Sequence, residues 1–145
     1  MTERDDLLAR IAELHHELPK LFAWELYELP DDVRAYYISD RPHPDATAHG
    51  YHLQLFLLRS TTFTWISLEF YDHVVDRRHI HTMPLHRIRS VRSYQYGTPE
   101  GSGMGCSIDL GEIKIDLPFE GDPRSAESPA SHRAFAFGKA VADAI

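Results

Sequence analysis

Side-chain parity constrains this chain most. Folded back at Leu110-Gly111-Glu112-Ile113, it sets Leu110 beside Ile113, Ile108 beside Ile115 and Cys106 beside Leu117. Asp109 then meets Lys114 on the other face. Glycine at the first turn position suits a two-residue hairpin, and a slip of one residue would turn every apolar side chain into water. A four-residue loop, Arg59-Ser60-Thr61-Thr62, joins residues 51–58 to 63–71 in the same manner. It places Leu57 against Thr64, Leu55 against Ile66, Leu53 against Leu68 and Tyr51 against Phe70. The reverse face joins Phe56 to Trp65 and His52 to Glu69. A third loop, Pro30-Asp31-Asp32, aligns Leu26 with Tyr36, Trp24 with Ile38 and Glu28 with Arg34, although 21–29 also reads as a short helix. Turn position and facing parity agree in all three, although 21–29 does not strictly alternate, and together they predict an antiparallel meander.

Helical spacing marks both ends. Leu7, Ile11, Leu14 and Leu18 form one apolar stripe over residues 2–17, with Thr2 and Asp5 as a capping pair and Pro19 as the stop. Ser128-Pro129 opens a second helix, serine as the cap and proline at the first position, with Ala130, Ala134, Phe137, Val141 and Ala144 as its buried side. Residues 40–50, holding Pro42 and Pro44, read as a loop, and 72–83 as irregular with a short strand over 79–82. A strand over 88–96, a flexible turn over 98–105 and a polar connection over 118–127 complete the chain. The expected class is α+β in a single domain over 1–145: a helix over 1–18, an antiparallel β core over 20–127 and a capping helix over 128–145.

At 145 residues the chain is long enough for one full core, and 43% hydrophobic with 26% charged residues fits a soluble globular protein. No apolar run approaches the roughly 20 residues of a membrane helix, so stable membrane insertion is not expected. The first residues, Met1-Thr2-Glu3-Arg4-Asp5-Asp6, are acidic where a secretory signal is apolar. Cys106, the one cysteine, allows neither an intrachain disulfide nor a four-cysteine zinc site. Both observations predict a reducing, cytoplasmic setting. A net charge of −7 argues against nucleic acid or an anionic membrane as partner. The absence of asparagine and the excess of arginine over lysine point to a GC-rich bacterial genome.

From Arg77 to Pro99 there is no acidic residue, and Arg77, Arg78, Arg87, Arg89 and Arg92 give the segment +5 against −12 for the remainder. Guanidinium forks match carboxylate and phosphate, which makes these arginines the candidate site for an anionic group or acidic peptide. A solvated strand face is the alternative. Tyr94 and Tyr96 share a face with Arg92, an aromatic–basic grouping suited to stacking or to ordinary cross-strand contact. His79 and His81 would share one strand face, close enough to reach one metal ion, near Asp72, His73 and Asp76. With ten histidines in the chain, surface imidazoles are the alternative, and no metal or other cofactor is expected. Cys106 points into the core. Gly101-Ser102-Gly103-Met104-Gly105 precedes a strand rather than a helix, so it reads as a turn and not as a phosphate loop.

Strand candidates in meander order closed by a C-terminal helix resemble the pleckstrin-homology-like (PH-like) superfold. Pro84-Leu85-His86-Arg87-Ile88-Arg89-Ser90-Val91 is similar to the Pro-Leu-x-x-Ile-x-x-Val entry to a sheet strand in bacterial PH-like domains. Residues 65–71 and 134–145 carry the rest of the resemblance, which covers 20–145. It implies a PH-like sandwich or barrel with a peptide groove between the closing helix and a neighbouring strand. The loop Pro30-Asp31-Asp32 is acidic where phosphoinositide-binding members are basic, so lipid binding does not carry over. The closing helix lacks the tryptophan of many members, and the N-terminal helix is an addition. The expectation is a non-catalytic protein- or peptide-binding module, homodimeric through its N-terminal helix. The alternatives are a small acidic secretion-chaperone or immunity-type interaction protein, and a metal-dependent hydrolase using His79 and His81.

Overall fold

The computed structural model describes residues 2–14, 32–42, 50–71, 74–99, 101–119 and 122–145. The chain is α+β and divides into two compact units, Met1–Ser60 with Thr64–Thr82, and Thr61–Phe63 with Met83–Ile145. No described helix is long and apolar enough to cross a membrane.

The first unit opens with α1 (Glu3–Leu14), whose start is capped reciprocally. The Asp5 N–H donates to Thr2 Oγ1 at 3.1 Å, and the Thr2 N–H donates to Asp5 Oδ2 at 3.2 Å. The Thr2 N–H first, and the nearby Thr2 hydroxyl second, hold the Asp5 carboxyl below its ordinary range. The four-stranded sheet follows in the order β1 (Ala35–Pro42), β2 (Gly50–Leu58), β3 (Thr62–Tyr71) and β4 (Val74–Pro84). Leu7 and Ile11 of α1 join Val33, Ile38, Leu53, Leu55, Leu57, Ile66 and Leu68 in one buried cluster. Each such side chain contributes on the order of 2 kcal/mol by leaving water. Tyr36 fastens β1 to the helix, its hydroxyl donating to Asp6 Oδ2 at 2.5 Å. Burial, and after it the Asp6 carboxylate, raise the pKa of that phenol.

The β2 and β3 faces are as parity predicts. Phe56 stacks on Trp65 with ring centroids 5.5 Å apart, and His52 Nε2 stands 3.5 Å from Glu69 Oε1. Between these pairs lies Gln54, only 2% exposed. Its Oε1 accepts from Trp65 Nε1 at 2.7 Å, while Nε2 donates to Ser67 Oγ at 2.9 Å and reaches His52 Nε2 at 2.9 Å.

Two expectations for this unit need correction. Residues 40–42 are strand rather than loop: β1 pairs with β2 from Ala35↔Leu58 to Pro42↔Tyr51. Proline is tolerated there because β1 is the sheet edge and Pro42 its last residue. Residues 74–84 are likewise one continuous strand, not an irregular segment. Thr82 Oγ1 lies 3.2 Å from Thr64 Oγ1, and the His81 ring 5.7 Å from that of Trp65, which sets β4 beside β3. An edge strand needs few apolar side chains and is kept from mispairing by charged ones, so its pattern in sequence is diluted. Residues 15–31, with the end of the expected first helix and the strand or short helix expected over 21–29, lie outside the described residues.

In the second unit a 3-10 turn, Leu85–Arg87, buries Leu85 and Ile88 and leads into β5 (Ser90–Thr98). β5, β6 (Gly101–Asp109) and β7 (Lys114–Leu117) form a three-stranded sheet in that order. β6 and β7 pair in the predicted register, Cys106↔Leu117, Ile108↔Ile115 and Asp109↔Lys114. Gly111 takes φ +94°, and the Leu110 N–H donates to the Ile113 carbonyl at 2.9 Å. The closing helix, α2 (Pro129–Ala144), starts at a Ser128 cap whose Oγ accepts from the Ser131 N–H at 3.1 Å. Its buried side holds Ala130, Ala134, Phe137, Gly138 and Val141, with Phe137 against Phe63 at 6.2 Å.

The expected turn over 98–105 is mostly strand. β5 runs to Thr98 and β6 begins at Gly101, in the register Tyr94↔Gly105 and Tyr96↔Gly103. The Tyr96 ring occupies the place of a side chain at Gly103, and the Leu117 carbonyl oxygen, with the Tyr94 hydroxyl beyond it, that of one at Gly105. A Cβ built on Gly103 would stand 2.3–2.4 Å from Cζ, Cε1 and Oη of Tyr96, and one on Gly105 would stand 3.0 Å from Tyr94 Oη.

Candidate functional site

Alternation along β5 sorts its side chains onto two faces. Val91 and Ser93 lie on the α2 side, where Ser93 Oγ donates to the Phe135 carbonyl at 3.4 Å. Arg92, Tyr94 and Tyr96 lie on the other side and are exposed or half-buried. The two tyrosine rings are nearly parallel, 21° apart with centroids separated by 6.3 Å, and the Arg92 guanidinium lies over Tyr94 at 5.8 Å. One face of Tyr96 rests on the Gly103 backbone and the residue is 53% exposed, so its other face meets solvent. The register continues across the sheet as Arg92–Ser107–Asp116. Ser107 Oγ donates to Asp116 Oδ1, and Asp109 Oδ1 accepts from the Gly111 N–H at 2.8 Å, so both carboxylates on this face are already engaged. The result is a shallow aromatic shelf with a guanidinium at one end.

The other candidate arginines are spread out. Arg89 crosses to the β6–β7 turn, with Nε 3.0 Å from where a Cβ on Gly111 would be, and its N–H donates to the Asp109 carbonyl at 2.8 Å. Arg87 is exposed on the 3-10 turn. Arg78 is half-buried on β4 in the first unit, and Arg77 precedes it on that strand, its side chain outside the described residues.

His79 and His81 are both exposed on β4, on the Trp65 side of the sheet. Among the described residues no group of three or more His, Cys, Asp or Glu side chains is placed to hold a metal ion. Asp72 and His73 lie outside those residues, as does the Asp76 side chain. Cys106 is fully buried. Burial first, and then the Asp116 carboxylate, push its thiol up to about 12, so it is a neutral apolar group and not a thiolate nucleophile.

Sequence reasoning overlooked two features. The support of the shelf by Gly103 and Gly105 was hidden by reading the glycines as a turn; their spacing of two, matching that of Tyr94 and Tyr96, is the signal that would have shown it. The Gln54 node was missed because glutamine in a strand carries no motif.

Comparison with protein-family models, with curated proteins and with solved structures finds no match to this chain.

Proposed function

We propose that this chain is a non-catalytic, cytoplasmic binding module of PH-like design that takes an acidic peptide or protein segment on the outward face of β5. The carrying observation is the shelf: Arg92, Tyr94 and Tyr96 stand together on one open face, within a segment that has no acidic residue from Arg77 to Pro99. Arginine supplies a fork for carboxylate, and the rings supply apolar area at low entropic cost. Arg89, exposed and beside the β6–β7 turn, adds positive charge near that end of the sheet. A four-stranded meander, then a three-stranded one, then a helix against the second sheet support the PH-like reading.

Peptide display against the purified chain tests this. Enriched sequences should be acidic and their binding should weaken with salt. The Arg89→Ala/Arg92→Ala variant should lose about tenfold or more in affinity, since charge-assisted bonds contribute about 1.5–3 kcal/mol each. Its melting temperature should stay within about a degree or two of the parent, as for other exposed substitutions. Enrichment without acidic character, or equal binding by the double variant, would refute the proposal.

A further inference from the structure

β5 is an edge of its three-stranded sheet, nine residues long, and no described strand pairs with its outer side. Natural edges of that length are guarded by proline, several charged side chains, a bulge or a covering element. Ser-Val-Arg-Ser-Tyr-Gln-Tyr-Gly-Thr has one charge, Arg92, and no proline or lysine, its side chains are exposed or half-buried throughout, and no described strand covers it. A nine-residue edge with a single charge is a template for another strand, provided the pairing gives that charge a partner. The sequence of β5 itself indicates which one.

Antiparallel self-pairing must centre on a residue, because backbone N–H and C=O groups point outward only at alternate positions. The midpoint of Ser90–Thr98 is Tyr94. Centred there, all nine residues pair: Ser90 with Thr98, Val91 with Gly97, Arg92 with Tyr96, Ser93 with Gln95, and Tyr94 with its own copy. Arg92 therefore meets a tyrosine ring of the other copy twice, once at each end. The two Arg92 residues are four positions apart, about 14 Å at strand spacing, beyond a Debye length of about 8 Å. Centring on Arg92 would oppose two guanidinium groups directly, and centring on Ser93 would bring them within about 7 Å of each other. Centring on Tyr96 leaves Arg92 without a partner. The midpoint register alone combines full length, like charges apart and cation against ring.

We infer that two copies of this chain join β5 to β5 about a two-fold axis through Tyr94, making one six-stranded sheet. The axis stands perpendicular to the sheet, so both shelves lie on the same side and merge into one strip running Arg92–Tyr94–Tyr96 and back. The pairing uses the strand edge and leaves that face open. It goes beyond the peptide-binding reading and stands or falls separately from it.

Sedimentation equilibrium of the full chain should show a monomer–dimer equilibrium. Tyr96→Arg places arginine against Arg92 of the other copy and should weaken dimerisation by about tenfold or more, and Arg92→Glu/Tyr96→Arg should restore it. Both positions are exposed, so folding is not at issue. Under mild oxidation Tyr94→Cys should cross-link to itself, because opposed Cα atoms in an antiparallel pair lie about 4.5–5.5 Å apart, within disulfide reach. Ser90→Cys should not, since its two copies would be about 27 Å apart. A monomer at every concentration overturns the inference. So does a dimer indifferent to Tyr96→Arg, or one in which Ser90→Cys cross-links and Tyr94→Cys does not. Loss of peptide binding with the dimer intact would refute only the proposed function.

Discussion

Gly138 of α2 sits directly on Cys106 of β6: a Cβ added to the glycine would stand 2.3 Å from the cysteine Cβ and 2.7 Å from Ser93 Oγ. The helix can lie this close to the sheet only because the glycine has no side chain. Alanine at this position gains up to about 1 kcal/mol of helix propensity, and the forced separation of helix from sheet costs about 1–3 kcal/mol. Gly138→Ala should therefore be destabilising by about 1–2 kcal/mol in denaturant unfolding. Adding Cys106→Ala should not restore stability, because the nearest clash is with the Cβ that alanine retains.

Asp32 gives a pH-dependent test. Its Oδ1 accepts from Arg59 Nε at 3.1 Å and its Oδ2 from the Ser60 N–H at 3.1 Å, tying the start of β1 to the turn after β2. Partial burial pushes this carboxyl up, but the Ser60 N–H and the Arg59 guanidinium outweigh it and hold the pKa below the usual value. A depressed carboxyl stabilises the fold above its unfolded pKa, near 3.9, and that contribution fades as pH falls through the folded value. Asp32→Asn should lower stability by about 0.5–1 kcal/mol at pH 7, and the gap to the parent should narrow as pH falls from 7 to about 2. Thermal melts of both proteins at the two pH values measure it.

Gly103 and Gly105 look alike in sequence and should behave differently. A Cβ on Gly103 meets the far end of Tyr96, an exposed ring that can swing outward. A Cβ on Gly105 meets the Leu117 carbonyl oxygen at 2.1 Å and Pro118 Cδ at 2.9 Å, so the backbone at the end of β7 must move. Gly103→Ala should change stability by under about 1 kcal/mol, and Gly105→Ala should cost about 2–3 kcal/mol. Urea titration separates them. Gly103→Ala also lifts Tyr96 off the sheet, so it should weaken acidic-peptide capture while leaving the fold intact.

Where polarity alternates strongly, the structure was legible in the sequence. The Gly111 hairpin, the leucines of β2, the Phe56–Trp65 and His52–Glu69 pairs, the Thr2–Asp5 cap and the Ser128-Pro129 start of α2 all stand as read. Each rests on local chemistry or on parity across a short turn. β4 was not legible, because Asp76, Arg77, Arg78, His79 and His81 interrupt its apolar positions, as an edge permits. The start of β6 was hidden because glycine signals a turn unless the cross-strand ring that replaces its side chain is known. The grouping of Arg92 with Tyr94 and Tyr96 followed from spacing by two. Placing Arg89 at the Gly111 turn required the β5–β6 register, Ser90↔Asp109, which reading the glycines as a turn conceals.

Alternation tells a strand which side to bury but is blind to a slide of two residues, which returns every leucine to the interior. Gln54 removes that ambiguity for β2 and β3. Its carbonyl holds the Trp65 indole N–H, and its amide protons are taken by Ser67 and His52. Sliding either strand by two would leave a carboxamide sealed from water with its bonds unmade, at a cost of about 1–3 kcal/mol per orphaned group. A lone glutamine thus acts as a vernier for this sheet, reading off the one alignment that the greasy residues leave undecided.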